Sequence, residues 1–440
     1  MIDPILFTLK FIFDFWWLIM PALMWQILWE KFKDNQRADF RKKIKWSFLE
    51  IKFPSGVTRT PRAMEEVFNS LHAIAPSPSK DLTWFNLNIR GFTPPSYCLI
   101  IIAHDGQLKF YLRFPENLKE FVKSRIYSQY HEIKFIDSDD PLSFLPPTVP
   151  NPTFEFESFD VRLAKEDSYP IKTYVNLERL PMEQQIDPIT TFSEGAQQVS
   201  SKEWLVFQFF ILPTTGDNKE HGNKWTDRGK KLINKLIGKE EKKEPGIWPE
   251  IEEFIINLLL APFRKPVWKT QEEKPKEEFN IQKLTPGERE ILELIQKKIS
   301  KLGYWCNFRV AYLASVDIFK INRLNIFSLI ESIFKNFATE NANSFNVIPV
   351  TQAKEETSLK IFHLKRNEYR FFRRYRLPRL SPLIVAKFNL QEKGLDKAFI
   401  LNSEELASIF HPPMTFVPPT GIEKISAREL PPSPEIPLIE

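Results

Sequence analysis

The chain opens on a run that few folds can absorb. Residues Ile5 to Trp29 (ILFTLKFIFDFWWLIMPALMWQILW) are almost all apolar. At ~1.5 Å per residue, a helix of this length crosses the roughly 30 Å hydrocarbon core of a bilayer. Trp25 and Trp29 stand where a headgroup-level aromatic belt is expected. Lys31, Lys33, Arg37, Arg41, Lys42, Lys43 and Lys45 follow, against Glu30, Asp34 and Asp39. This basic excess predicts an N-terminus outside and the bulk of the chain in the cytoplasm. There is no basic n-region and no small-residue cleavage site, so a single-pass membrane anchor is expected rather than a signal peptide. Lys10 and Asp14 share a helix face. At membrane depth they form either an internal ion pair or a polar seam against another membrane helix, the latter implying an oligomer.

Beyond residue 46 the pattern changes to that of αβ units. SFLEIKF alternates as a strand does, and TPRAMEEVFNSLHAI follows with Pro61 at the first helical position. TWFNLNIRGF reads as a strand, and YCLIIIAHDGQLKFYLRF as a hairpin turning at Asp105-Gly106. A helix over ENLKEFVKSRIYSQY and a strand over HEIKFIDSDD complete a β-α-β-β-α-β order. The Pro-rich stretch 141–153 is a linker. A second such order runs from FEFESFDVRLA to SFNVIPV, interrupted by an insertion over about 214–280. The expected fold is α+β: one N-terminal transmembrane helix with its basic juxtamembrane segment over 1–46, then two tandem ferredoxin-like (βαββαβ) domains, 47–140 and 154–350, the second with a long insertion. Residues 351–440 add a basic and aromatic segment, a short helix and a Pro-rich tail.

Composition limits the chemistry. Of 440 residues only 13 are Gly, so backbone cradles for phosphate are disfavoured. Cys98 and Cys306, with no CxxC, exclude a cysteine zinc site within the chain. The chain has no P-loop, no G-x-S-x-G, no H-E-x-x-H and no G-x-G-x-x-G. The six histidines are scattered, and the DSDD around Asp137 lacks the Gly and the closing Glu of a calcium loop. The expectation is therefore a non-enzymatic protein with no catalytic residue, no cofactor and no metal.

Two stretches could bind a partner. In the insertion, Ile251, Phe254, Ile255, Leu258 and Leu259 form an apolar stripe flanked by Glu250, Glu252 and Glu253. It suits a helix docked on the core or on a protein partner better than one on an anionic leaflet. In the tail, Lys365, Arg366, Arg370, Arg373 and Arg374 sit among Phe362, Tyr369, Phe371, Phe372 and Tyr375. That basic stripe could be a solvated face, or could neutralise lipid or nucleic-acid phosphates.

Three stretches resemble a known family: FLEIKFPSGVTRTPRAMEEVFNSLHAI, FYLRFPENLKEFVKSRIYSQY, and FILNSEELASIFHPP with its Pro-rich exit. They are similar to the membrane-anchored N-terminal region of bacterial proteins related to type IV secretion and conjugation ATPases. In fuller members of that family a HerA-type P-loop ATPase domain follows the exit. The resemblance implies a membrane-anchored scaffold of a secretion-like or conjugative-transfer apparatus. Its partners would be the lipid bilayer, further proteins and a separate P-loop ATPase. The alternative is a membrane-tethered nucleic-acid-binding protein that uses residues 360–379.

Overall fold

A single antiparallel sheet organises the chain. The computed structural model describes residues 25–53 (except 26, 27, 30, 34, 38 and 41), 60–77, 80–94, 96–143, 152–178, 187–214, 225–237, 285–349 and 398–413. The strands are β1 (Trp46–Lys52), β2 (Tyr97–His104), β3 (Gln107–Pro115), β4 (Lys134–Ser138), β5 (Phe154–Leu163), β6 (Glu203–Pro213), β7 (Gly303–Ser315), β8 (Phe345–Pro349) and β9 (Phe399–Asn402). The helices are α1 (Pro61–Leu71), α2 (Trp84–Asn88), α3 (Lys119–Tyr127), α4 (Tyr174–Glu178), α5 (Pro188–Gln197), α6 (Trp225–Leu236), α7 (Pro286–Ile299), α8 (Val316–Lys335) and α9 (Ser403–Ile409). Ahead of β1, the described residues between 25 and 43 are helical.

The strand order is β4-β1-β3-β2-β6-β7-β5-β8, with β9 paired to β7. The expected fold class needs correction here. The two αβ halves are not tandem domains on a string; they share one nine-stranded sheet. β2 and β6 pair along their length, from Tyr97↔Ile211 to His104↔Trp204. The physical reason lies in these two strands, YCLIIIAH and EWLVFQFFILP, which are apolar on both faces. At the rim of a lone domain each would expose a greasy, unpaired edge. Pairing them buries both and removes both edges.

The expected anchor is corrected too. No helix among the described residues is long and apolar enough to cross a membrane. That finding conflicts with the expected single-pass membrane protein with its bulk in the cytoplasm. Residues 1–24, with Lys10 and Asp14, lie outside the described residues. Where the apolar run ends, its aromatics stack on the fold itself: Trp29 lies against Trp84, with ring centroids 6.1 Å apart.

Helices cover one face of the sheet. Leu49, Leu99, Ile101, Phe110, Phe207, Phe209, Phe308 and Val310 meet Val67 and Phe68 of α1, Val122 of α3, Phe192 of α5, and Ile330 and Phe334 of α8. The opposite face forms a second cluster of Phe48, Cys98, Ile100, Ile102, Tyr111, Phe156, Val206, Phe210, Leu212, Ala311 and Leu313. The hairpin turn is where the sequence placed it, with Asp105 and Gly106 at φ of 50° and 71°. Positive φ at both central residues suits the twist of the flanking strands. TWFNLNIRGF is not a strand: Thr83 caps α2 by accepting from the Asn86 amide.

β9 and α9 close the fold. β9 pairs with Gly303–Cys306 of β7, beside the stretch of β7 that pairs with β5. α9 begins with a capping box, in which Asn402 accepts from the Glu405 amide and Glu405 accepts from the Asn402 amide.

Candidate functional site: an exposed aromatic face

Trp25, Leu28, Trp29 and Phe32 are spaced i, i+3, i+4 and i+7, so helical geometry gathers them on one side. Trp25 and Trp29 stack at 6.1 Å with 11° between planes, and Trp29 and Phe32 at 5.6 Å and 19°. Trp84 of α2 continues the ladder at 6.1 Å and 16° from Trp29. The rings remain open to solvent: Trp25 is 67% exposed, Trp84 59% and Phe85 50%, with Leu28 and Phe32 exposed beside them. Arg90 lies over the Phe85 ring at 5.3 Å. Scattered exposed hydrophobics are ordinary, whereas a stacked and contiguous group marks an interaction surface.

Contacts at Gly91 and Phe92 help to hold this face in place. Gly91 has φ +64°, and a Cβ there would sit 2.3 Å from the Gln36 carbonyl carbon. Only a glycine lets the N-terminal helical stretch come this near. Phe40 meets Phe92 edge-on at 5.5 Å. The α2 segment is rigidified by polar ties: Asn86 Nδ2 donates to the Lys80 carbonyl at 2.7 Å, and Asn88 Nδ2 to the Trp84 carbonyl at 2.9 Å.

A second feature is a cluster of buried charges where α9 meets α1 and α7. Lys301 Nζ lies 2.6 Å from both Glu65 Oε1 and Glu404 Oε2. Lys298 Nζ lies 3.0 Å from Glu405 Oε1, with both side chains fully buried. Glu405 also accepts from the Ile171 amide at 2.9 Å, Thr173 donates to Glu404 at 2.5 Å, and Tyr174 donates to Glu65 at 2.5 Å. His411 Nε2 lies 2.9 Å from Asp187, which also caps α5. Burial pushes the Glu405 carboxyl up, against the pull of Lys298. Burial also opposes ionisation of Glu404, but its bonds to Lys301 and Thr173 prevail and hold its carboxyl below the usual range. Every one of these groups is matched to a partner within the fold, so the cluster reads as a clasp for residues 398–413.

The clasp has a definite pH signature. Because the folded Glu404 carboxyl is held below its ordinary value of 4.5, its stabilisation is complete above that value. It disappears as pH falls through the lowered folded value. Glu404→Gln is therefore expected to destabilise the fold by about 2–3 kcal/mol at pH 7 in urea titrations. The gap to the parent chain should narrow as the pH is lowered below 4.5. A gap that stays constant as the pH falls below 4.5 would show that Glu404 is not held by charge.

The stretches singled out in the sequence stand apart from both features. Lys10 and Asp14, the stripe Ile251, Phe254, Ile255, Leu258 and Leu259, and the basic group Lys365, Arg366, Arg370, Arg373 and Arg374 all lie outside the described residues. Asp137 of the DSDD stretch is paired with Lys119 at 2.8 Å and Lys123 at 3.6 Å. Among the described residues no group of three or more His, Cys, Asp or Glu could hold a metal. Cys98 and Cys306 are free and buried, and burial pushes the Cys98 thiol up to about 12. Trp25 and Trp29 had a signal in the sequence. Trp84 and Phe85 did not, since their segment reads as a strand. Compared with protein-family models and with curated proteins, the chain matches none.

Proposed function

We propose that the chain is a non-catalytic assembly protein that docks a protein partner on the face of Trp25, Leu28, Phe32, Trp84 and Phe85. The observation that carries this reading is the solvent-exposed ring ladder, clamped in place by the Gly91–Gln36 approach. Aromatic side chains bring large contact area at little entropic cost and dominate interface hot spots. Rings already stacked on one another lose less freedom on binding than mobile ones. The apparatus implied by the sequence resemblance is of the secretion or conjugative-transfer kind, in which a separate P-loop ATPase is the leading candidate partner.

The test uses the full chain, tagged, in cells of its source. Size exclusion of the extract is expected to place the parent chain in a larger assembly. Trp84→Ser/Phe85→Ser should elute at the single-chain size with an unchanged melting temperature. At about 2 kcal/mol per aromatic anchor, each substitution weakens docking roughly 30-fold. Equal elution of parent and variant would remove the reading. So would binding to protein-free lipid vesicles that the double substitution abolishes, because the face would then serve lipid rather than protein.

A further inference from the structure

The two rims of the sheet are not alike. Among the described residues, β4 and β8 end the strand order, so each leaves one edge without a strand neighbour. β4 carries the usual protection against strand pairing: it contains Lys134 and Asp137, and Lys119 and Lys123 reach over to Asp137. β8 lacks it. The strand reads FNVIP, and no charged side chain occurs in the sequence between residues 341 and 353. Asn346 is exposed, and Val347, Ile348 and Pro349 are half-buried.

The register shows which backbone groups face this open rim. The Ala164 amide donates to the Ser344 carbonyl at 2.9 Å. In an antiparallel ladder the bonded pairs recur at every second residue. Arg162↔Asn346 and Asp160↔Ile348 are therefore the bonded pairs between β5 and β8. The N–H and C=O groups of Phe345 and Val347 point the other way, outward. Pro349 has the same parity, so its missing N–H takes nothing from the ladder.

We propose that β8 pairs with β8 of a second copy of this chain, antiparallel about a two-fold axis at Asn346. Phe345 of each copy then exchanges both backbone bonds with Val347 of the other. Pro349 falls outside the bonded stretch, so no position in it lacks a donor. The two Asn346 side chains meet on the axis as a non-bonded pair, the kind whose side chains approach more closely, and their amides can donate to each other. An open edge also admits a strand of a different protein. Self-complementarity selects the second copy: no like charges meet, and the polar side chain of the strand lands opposite an identical amide. A contact this short belongs to the small class of interfaces, with a dissociation constant on the order of tens of micromolar. It forms in concentrated solution and comes apart at the dilution of an extract, which separates it from docking on the aromatic face.

Sedimentation equilibrium of the purified full chain, from about 2 to about 200 µM, should show single chains passing to dimers and no further. Val347→Pro removes only an outward N–H and should stay a single chain throughout. Ile348→Pro removes an inward one and should melt at least about 5 °C below Val347→Pro. At the exposed position, Asn346→Asp and Asn346→Lys should each weaken pairing about fivefold, because like charges then face each other across the axis. An equimolar mixture of the two should recover it. Trp84→Ser/Phe85→Ser should dimerise as the parent does, so loss of the aromatic face and loss of the rim are told apart. The proposal is overturned if the parent stays single at the highest concentration, if it grows beyond dimers, or if Val347→Pro still dimerises. It is equally overturned if the Asn346 mixture fails to recover, if Ile348→Pro melts no lower than Val347→Pro, or if the aromatic variant loses the dimer.

Discussion

Lys298→Met should cost about 3–5 kcal/mol in urea unfolding of the whole chain, the largest effect expected of any single substitution here. The Lys298 ammonium and the Glu405 carboxylate are fully buried at 3.0 Å. Removing the cation leaves Glu405 as an ion in a dry site, where burial already pushes its carboxyl up. The same change takes away the Nζ donor to the Tyr169 carbonyl, at 3.2 Å. Lys298→Met/Glu405→Gln should recover part of the loss, because the stranded charge is gone while Gln can still serve the capping box. Proteolysis beginning in residues 398–413 is expected to accelerate in the single variant and to slow again in the double one. A loss under about 1 kcal/mol for Lys298→Met would mean that the clasp does not hold α9 to the sheet.

Gly91→Ala should detach the N-terminal helical stretch while sparing the sheet. The added methyl would face backbone atoms of Gln36 and Arg37 at 2.3–2.5 Å, at a φ of +64° that L side chains rarely adopt. Neither neighbour is a side-chain tip that could swing aside. The combined strain is about 2–4 kcal/mol and falls on one local contact. Trypsin cleavage at Arg37, Lys42 and Lys43 is expected to quicken, with the melting temperature of the remainder nearly unchanged. The ring stack of Trp29 on Trp84 would break, so tryptophan emission should also shift. Parent-like cleavage and emission would place the anchoring of the aromatic face on other contacts, such as Phe40 against Phe92.

Most strands and helices were legible because their apolar spacing is regular. The fusion of the two halves was written in the same strands. Cys98, Ile100 and Ile102 lie on one face of β2, with Leu99 and Ile101 on the other. A strand apolar on both faces does not belong at an edge. The clasp was harder to see. Glu404, Glu405, Lys298 and Lys301 read as ordinary surface charges, and their partners lie far away in sequence, Glu65 by 236 residues from Lys301. Only the Asn402-x-x-Glu405 box gave local notice that α9 starts there. α2 was misread because Trp84, Phe85, Leu87 and Ile89 imitate a half-buried strand. The Asn86 and Asn88 side chains instead satisfy backbone carbonyls and hold a single helical turn. The aromatic face, which unites Trp29 with Trp84, was therefore only half visible in the sequence.

A photo-crosslinking residue at Phe85, in the full chain and in cells of its source, tests the docking surface most directly. The same residue at Tyr127, exposed on α3 beside Phe135, serves as the control. A discrete protein adduct from position 85, absent from position 127 and lost in Gly91→Ala, is the expected result. Adducts of equal yield from both positions, or lipid adducts alone from position 85, would contradict a protein-docking role for the aromatic face.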